Sequence, residues 1–74
     1  MLKAIIVDDE NKSRENLKLL LEEFVQGVQV MATASNVDEG IEAIEDIKPD
    51  IVFLDIQMHK ETGFDLLHKL KKIN

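Results

Sequence analysis

Residues 51–67 read IVFLDIQMHKETGFDLL, and the first five of them decide the fold. Ile51, Val52, Phe53 and Leu54 run without a polar break and stop at a carboxylate, Asp55. A strand with one wet face alternates apolar and polar residues. A short run without alternation reads as a strand covered on both faces, the habit of parallel sheets. A charge at the tip of such a strand needs a reason.

Upstream, the same arrangement recurs. Ala4-Ile5-Ile6-Val7 is a first strand, ended by Asp8 and Asp9. Residues 11–25 carry Leu17, Leu20, Leu21 and Phe24 at helical spacing, and Gly27 is placed to stop that helix. VQVMATA, residues 28–34, alternates more strictly, with Val28, Val30, Ala32 and Ala34 on one face and Gln29, Met31 and Thr33 on the other. Such alternation suits an edge strand. Asn36 with Glu39 forms a helix cap, followed by an apolar stripe at Val37, Ile41, Ile44 and Ile47. Gly40 weakens that helix by about 1 kcal/mol relative to alanine. Lys48-Pro49-Asp50 ends it, and beyond the third strand Leu66, Leu67, Leu70 and Ile73 line a third helix.

The order β-α-β-α-β-α predicts an α/β fold with a parallel sheet and right-handed crossovers. If the strand order is 2-1-3, the first strand is central. The third then has an open edge, which invites pairing with another strand. The expected outcome is self-association, a homodimer or higher oligomer formed through the third strand's edge.

Size and composition limit the alternatives. The chain has 74 residues, one domain at most, with 45% hydrophobic and 32% charged content, as in an ordinary globular protein. It contains no cysteine, hence no disulfide framework and no thiolate metal site. No apolar run approaches the ~20 residues of a membrane span, and the N-terminus does not read as a signal peptide. A cytoplasmic protein with no membrane role is expected. Nine basic against fifteen acidic residues give a net charge of −6, which argues against nucleic-acid binding through this segment.

In an open parallel sheet, ligands bind outside the carboxyl ends of the strands, where strand order reverses. For order 2-1-3 that point lies between the first and third strands. Their ends carry Asp8-Asp9 and Asp55, so two adjacent carboxylates and a third distant in sequence meet. Such a cluster repels itself unless a cation is present. Oxygen-only ligands select a hard ion, Mg²⁺ above Ca²⁺ or Zn²⁺, and a Mg²⁺ site with few protein ligands accepts phosphate oxygens. Alone, each piece has a plain structural explanation. An acid pair suits a helix start, Asp55 suits a turn, Thr62-Gly63 suits a helix start, and His59, His68 and Met58 read as bystanders. Only the combination points to phosphoryl chemistry.

At this point the sequence resembles the receiver domain of bacterial two-component response regulators. IIVDDE resembles that family's first strand and acid pair, and IVFLDIQM followed by TGFDLL its phosphoacceptor strand, loop and third helix. Pro49-Asp50 before the third strand also fits. The resemblance implies a flavodoxin-like sheet and the strand order 2-1-3. It implies that Asp55 accepts a phosphoryl group from a sensor histidine kinase, and that the chain is a phosphoacceptor rather than an enzyme. It further implies Mg²⁺ held by Asp9, by Asp8 through water, by Asp55 and by the backbone carbonyl of Gln57. The TGFDLL wording is similar to receivers joined to a LytTR DNA-binding domain, which suggests a DNA-binding output domain in an intact protein.

The chain also departs from the family. His59 stands where proline is common. Residues 1–74 match only the family's first three strands and three helices, a partial receiver domain truncated after the third helix. The Ser/Thr after the fourth strand, the Lys after the fifth and the aromatic switch residue are absent, and Thr62, Lys60 and Lys72 lie on the wrong elements to replace them. Metal binding is therefore expected to outlast efficient phosphorylation and switching. Two other readings compete: a self-associating half-flavodoxin fragment without signalling activity, and a small Mg²⁺-dependent phosphatase or phosphotransferase. The latter usually has a second acid two residues after its aspartate, where this chain has Gln57.

Overall fold

The structure, a computed structural model, describes residues 1–55. In chain order they form β1 (Leu2–Val7), α1 (Asn11–Phe24), β2 (Val28–Ala34), α2 (Val37–Ile47) and β3 (Ile51–Leu54). The third helix expected around Leu66, Leu67, Leu70 and Ile73 lies outside the described residues. The sheet is parallel, in the order β2-β1-β3, as the resemblance implied. Ala4 to Val7 are buried at its centre, which accounts for their unbroken apolar run. β3 pairs with β1 along its whole length. The edge expected to meet a second copy has no partner strand among the described residues.

β1 starts two residues before the apolar run, at Leu2, because backbone pairing continues past the buried segment. Leu2 N–H donates to the Gly27 carbonyl at 2.7 Å, tying the start of the strand to the turn after α1. Gly27 has φ +84°, the left-handed region that glycine adopts without a Cβ penalty. At the same end of the sheet, the β3 edge is fixed by a reciprocal pair. Lys3 N–H donates to the Asp50 carboxylate at 2.7 Å, and Asp50 N–H donates to the Lys3 carbonyl at 2.8 Å. Together they hold β3 in register before its first residue.

The face assignment of β2 needs correction. Burial does alternate along the strand as expected. The register, however, pairs Val28 and Val30 with Leu2 and Ala4, then skips Met31 and pairs Ala32 and Ala34 with Ile5 and Val7. Ala4 and Ile5 point to opposite faces. The inserted residue thus sends Val28 and Val30 to one face and Ala32 and Ala34 to the other, as a β-bulge does. Ala34 accordingly joins Ile5, Val7 and Val37 in the buried cluster, against which Ala32, Ile41, Ile44, Ile47 and Leu54 pack. The α2 stripe is therefore the one expected.

The α1 stripe is only partly so. Leu21 is buried and Leu17 half-buried, but Leu20 and Phe24 are 53% and 73% exposed. Among the described residues α1 packs chiefly on β1 and β2, which covers less of it than the sequence pattern would bury.

α2 begins with a variant of the expected cap. Asn36 Oδ1 accepts from Glu39 N–H at 2.8 Å. The Glu39 carboxylate reaches past Asn36 and accepts from both Ser35 N–H (2.9 Å) and Ser35 Oγ–H (2.7 Å). These two bonds, with a smaller contribution from the Arg14 charge, hold the Glu39 pKa below its ordinary 4.5. A carboxylate whose pKa is lowered by folding adds stability above its unfolded value, and that stability disappears as pH falls through the folded value. Near neutral pH, wild-type protein is therefore expected to melt above Glu39→Gln. Melting curves at descending pH should show the gap closing below pH 4.5; a gap independent of pH would contradict the ionic cap.

α2 ends at Lys48, whose N–H donates to the Ile44 carbonyl at 2.9 Å and whose φ is +52°. A left-handed lysine is uncommon, and it turns the chain sharply toward Pro49 and β3.

Candidate functional site

The register of β1 and β3 brings the acids together. Val7 lies opposite Leu54 at the last paired position, so Asp8 and Asp55 leave the sheet side by side. The backbone ladder continues through both of them. Asp55 N–H donates to the Val7 carbonyl at 3.0 Å, and Asp8 N–H donates to the Ala34 carbonyl on β2 at 3.0 Å. Asp8 is thus anchored to one neighbouring strand while Asp55 is anchored to β1. The Asp8 carboxylate also accepts from Glu10 N–H at 2.9 Å, which turns the chain from strand into helix.

Asp8, Asp9 and Asp55 are all half-buried, and each offers a carboxylate oxygen within 4.8 Å of the others'. Among the described residues this is the one group of ligating side chains close enough to share an ion. Repulsion at such separations amounts to roughly 1–4 kcal/mol per pair, depending on screening, which a divalent cation would reverse. An all-oxygen donor set of this charge fits a hard ion such as Mg²⁺. Beside the acids, on the α1 side of the sheet, an open cavity of about 380 Å³ is lined by Ile6, Ser13, Leu17, Phe53, Asp8 and Asp55. Asp55 therefore has space in front of it.

All three acids named from the sequence meet as expected. Gln57, whose backbone carbonyl was the fourth expected ligand, lies outside the described residues, as do His59, Thr62 and Gly63. One further residue stands at the site. Arg14, the only arginine in the sequence, reaches back from α1 and donates from Nη1 to the Asp8 carbonyl at 2.7 Å. A second nitrogen, Nη2, donates to Asn11 Oδ1. The available signal was a cation one turn into a helix that has no acid in its first turn, contrary to the preference set by the macrodipole.

The sequence model of the response regulator receiver domain matches residues 4–74. The chain is 50% identical over 70 residues to an uncharacterised response regulatory protein of Vibrio parahaemolyticus, covering 95% of this chain and 28% of that protein. It is 44% identical over 73 residues to the sensory transduction protein LytT of Bacillus anthracis, covering 99% of this chain and 29% of the relative. A chain in the crystal structure of histidine kinase ThkA in complex with response regulator protein TrrA superposes with a TM-score of 0.82 at 32% identity. That superposition covers 100% of this chain and 61% of the other. The chain thus spans a little over a quarter of the length of these two relatives. Among the described residues, no helix is long and apolar enough to cross a membrane. With the acid cluster at the carboxyl end of a β2-β1-β3 sheet, these matches identify the chain as a member of the response regulator receiver domain family.

Proposed function

We propose that Asp55 is the phosphoacceptor of this receiver domain and that Asp8 and Asp9 hold the cation its chemistry requires. The observation that carries this reading is the convergence of Asp55 with the acid pair to within 4.8 Å, at strand ends whose backbone bonds fix them. A carboxylate oxygen of Asp55 attacks phosphorus, an aspartyl phosphate O–P bond forms, and the P–N bond of a histidine kinase's phosphohistidine breaks. The electron pair of that bond returns to the imidazole. A bound Mg²⁺ would offset the negative charge of the carboxylate and the incoming phosphoryl oxygens. The chain's own part is to orient Asp55 beside the open cavity and to present Asp8 and Asp9 on a rigid turn.

Incubation with acetyl phosphate and Mg²⁺ tests the proposal. The expected result is phosphoryl incorporation of no more than one group per chain, with no labelling when EDTA replaces the metal. Sustained release of phosphate over many turnovers would indicate a phosphatase instead. Absence of any labelling under saturating conditions would contradict the assignment.

A further inference from the structure

Arg14 poses a problem of sign. It places a permanent positive charge beside a site that the reading above assigns to a divalent cation. Electrostatics alone would therefore have it weaken that site. Its position near the N-terminus of α1 is also unfavourable with respect to the macrodipole. A residue that breaks two local preferences at a functional site calls for a compensating role.

The hydrogen bonds supply one. The carbonyl that Arg14 Nη1 holds at 2.7 Å belongs to Asp8, so it is part of the peptide unit joining Asp8 to Asp9. Peptide units are planar, so fixing that oxygen also fixes the direction in which the chain enters Asp9. Two more hydrogen bonds hold the Asp8 side of the turn: its N–H donates to the Ala34 carbonyl and its carboxylate accepts from Glu10 N–H. The guanidinium is itself steadied by Asn11 Oδ1 on its second nitrogen. This two-point grip requires a planar fork rather than a point charge. The side chain reaches the turn because helical side chains lean toward the N-terminus, one turn above Glu10, whose carbonyl accepts Arg14 N–H at 3.0 Å.

We propose that Arg14 is a positioning residue. By holding the peptide carbonyl between Asp8 and Asp9, it sets the angle between the two carboxylates that share the cation. This inference rests on the functional reading above, and it makes the opposite prediction from charge repulsion. Removing Arg14 weakens cation binding if positioning dominates and strengthens it if repulsion dominates.

Mn²⁺ titration followed by the electron paramagnetic resonance of free ion measures affinity without reference to phosphorylation. Arg14→Met is expected to weaken binding about tenfold, in the range typical of groups that orient metal ligands. Arg14→Lys, which restores a charged donor without the fork, should recover part of that loss. Asn11→Ala, which frees one arm of the guanidinium and keeps the charge, should weaken binding by a smaller factor; it carries the test if Arg14→Met fails to show a cooperative melt in EDTA. Binding that is unchanged or tighter in folded Arg14→Met, or unchanged in Asn11→Ala if that variant has to serve, overturns the inference while leaving the metal site standing. A wild-type protein with no saturable Mn²⁺ site overturns the functional reading and this inference together.

Discussion

Asp55→Asn is expected to abolish phosphoryl incorporation from acetyl phosphate, whatever fraction of the wild-type chain is labelled. The carboxamide lacks the anionic oxygen that attacks phosphorus, and neighbouring groups cannot substitute at the same position, because β1 and β3 place only this residue at the β3 end of the paired register. The substitution is nearly isosteric. The Asp55 N–H that donates to the Val7 carbonyl is backbone and survives the change. One negative charge also leaves a crowded cluster, so the melting temperature of the metal-free protein should not fall. Intact-mass measurement on wild type and variant, beside their thermal melts, separates lost chemistry from lost fold. Labelling of Asp55→Asn at the wild-type level would contradict the assignment.

Magnesium is expected to stabilise the wild-type protein, and Asp9→Asn should lose most of that effect. A ligand that binds only the folded state at about 100 times its dissociation constant adds roughly 2.7 kcal/mol. For a domain of this size that is on the order of 10 °C in melting temperature. Asp9→Asn removes one of three carboxylates whose oxygens lie within 4.8 Å of one another. Without metal, the variant should be the more stable protein, by about 1 kcal/mol, because repulsion among half-buried like charges is relieved. With saturating metal the order should reverse. Scanning calorimetry across a Mg²⁺ series measures both effects. A variant that gains as much from Mg²⁺ as the wild type would exclude Asp9 from the ligand set.

The acids and the sheet were legible because buried strands announce themselves by unbroken apolar runs, and their ends by the first charge. Ile51–Leu54 with Asp55, and Ala4–Val7 with Asp8, needed no further information. The strand order did; it came from the family resemblance. Three features had no reading in the sequence. The bulge at Met31 arises from pairing with β1, and composition within β2 cannot show which residue the partner strand skips. Glu39 bonds Ser35 rather than the Asn36 backbone, a choice between adjacent residues made by the turn preceding α2. For Arg14, only the path of the β1–α1 turn shows that its side chain has a carbonyl to hold. The exposed Leu20 and Phe24 mark the converse case. Helical spacing predicts which residues share a face, but not how much of that face the rest of the molecule covers.

The central claim is that the phosphoryl group resides on Asp55. Borohydride reduction of the phosphorylated protein converts an aspartyl phosphate to homoserine, leaving a permanent mark readable by peptide sequencing in a mass spectrometer. The account predicts homoserine at position 55, dependent on Mg²⁺ during phosphorylation, with Asp8 and Asp9 unmodified. Homoserine at either of those positions, or a phosphoryl group retained on a histidine, would contradict it.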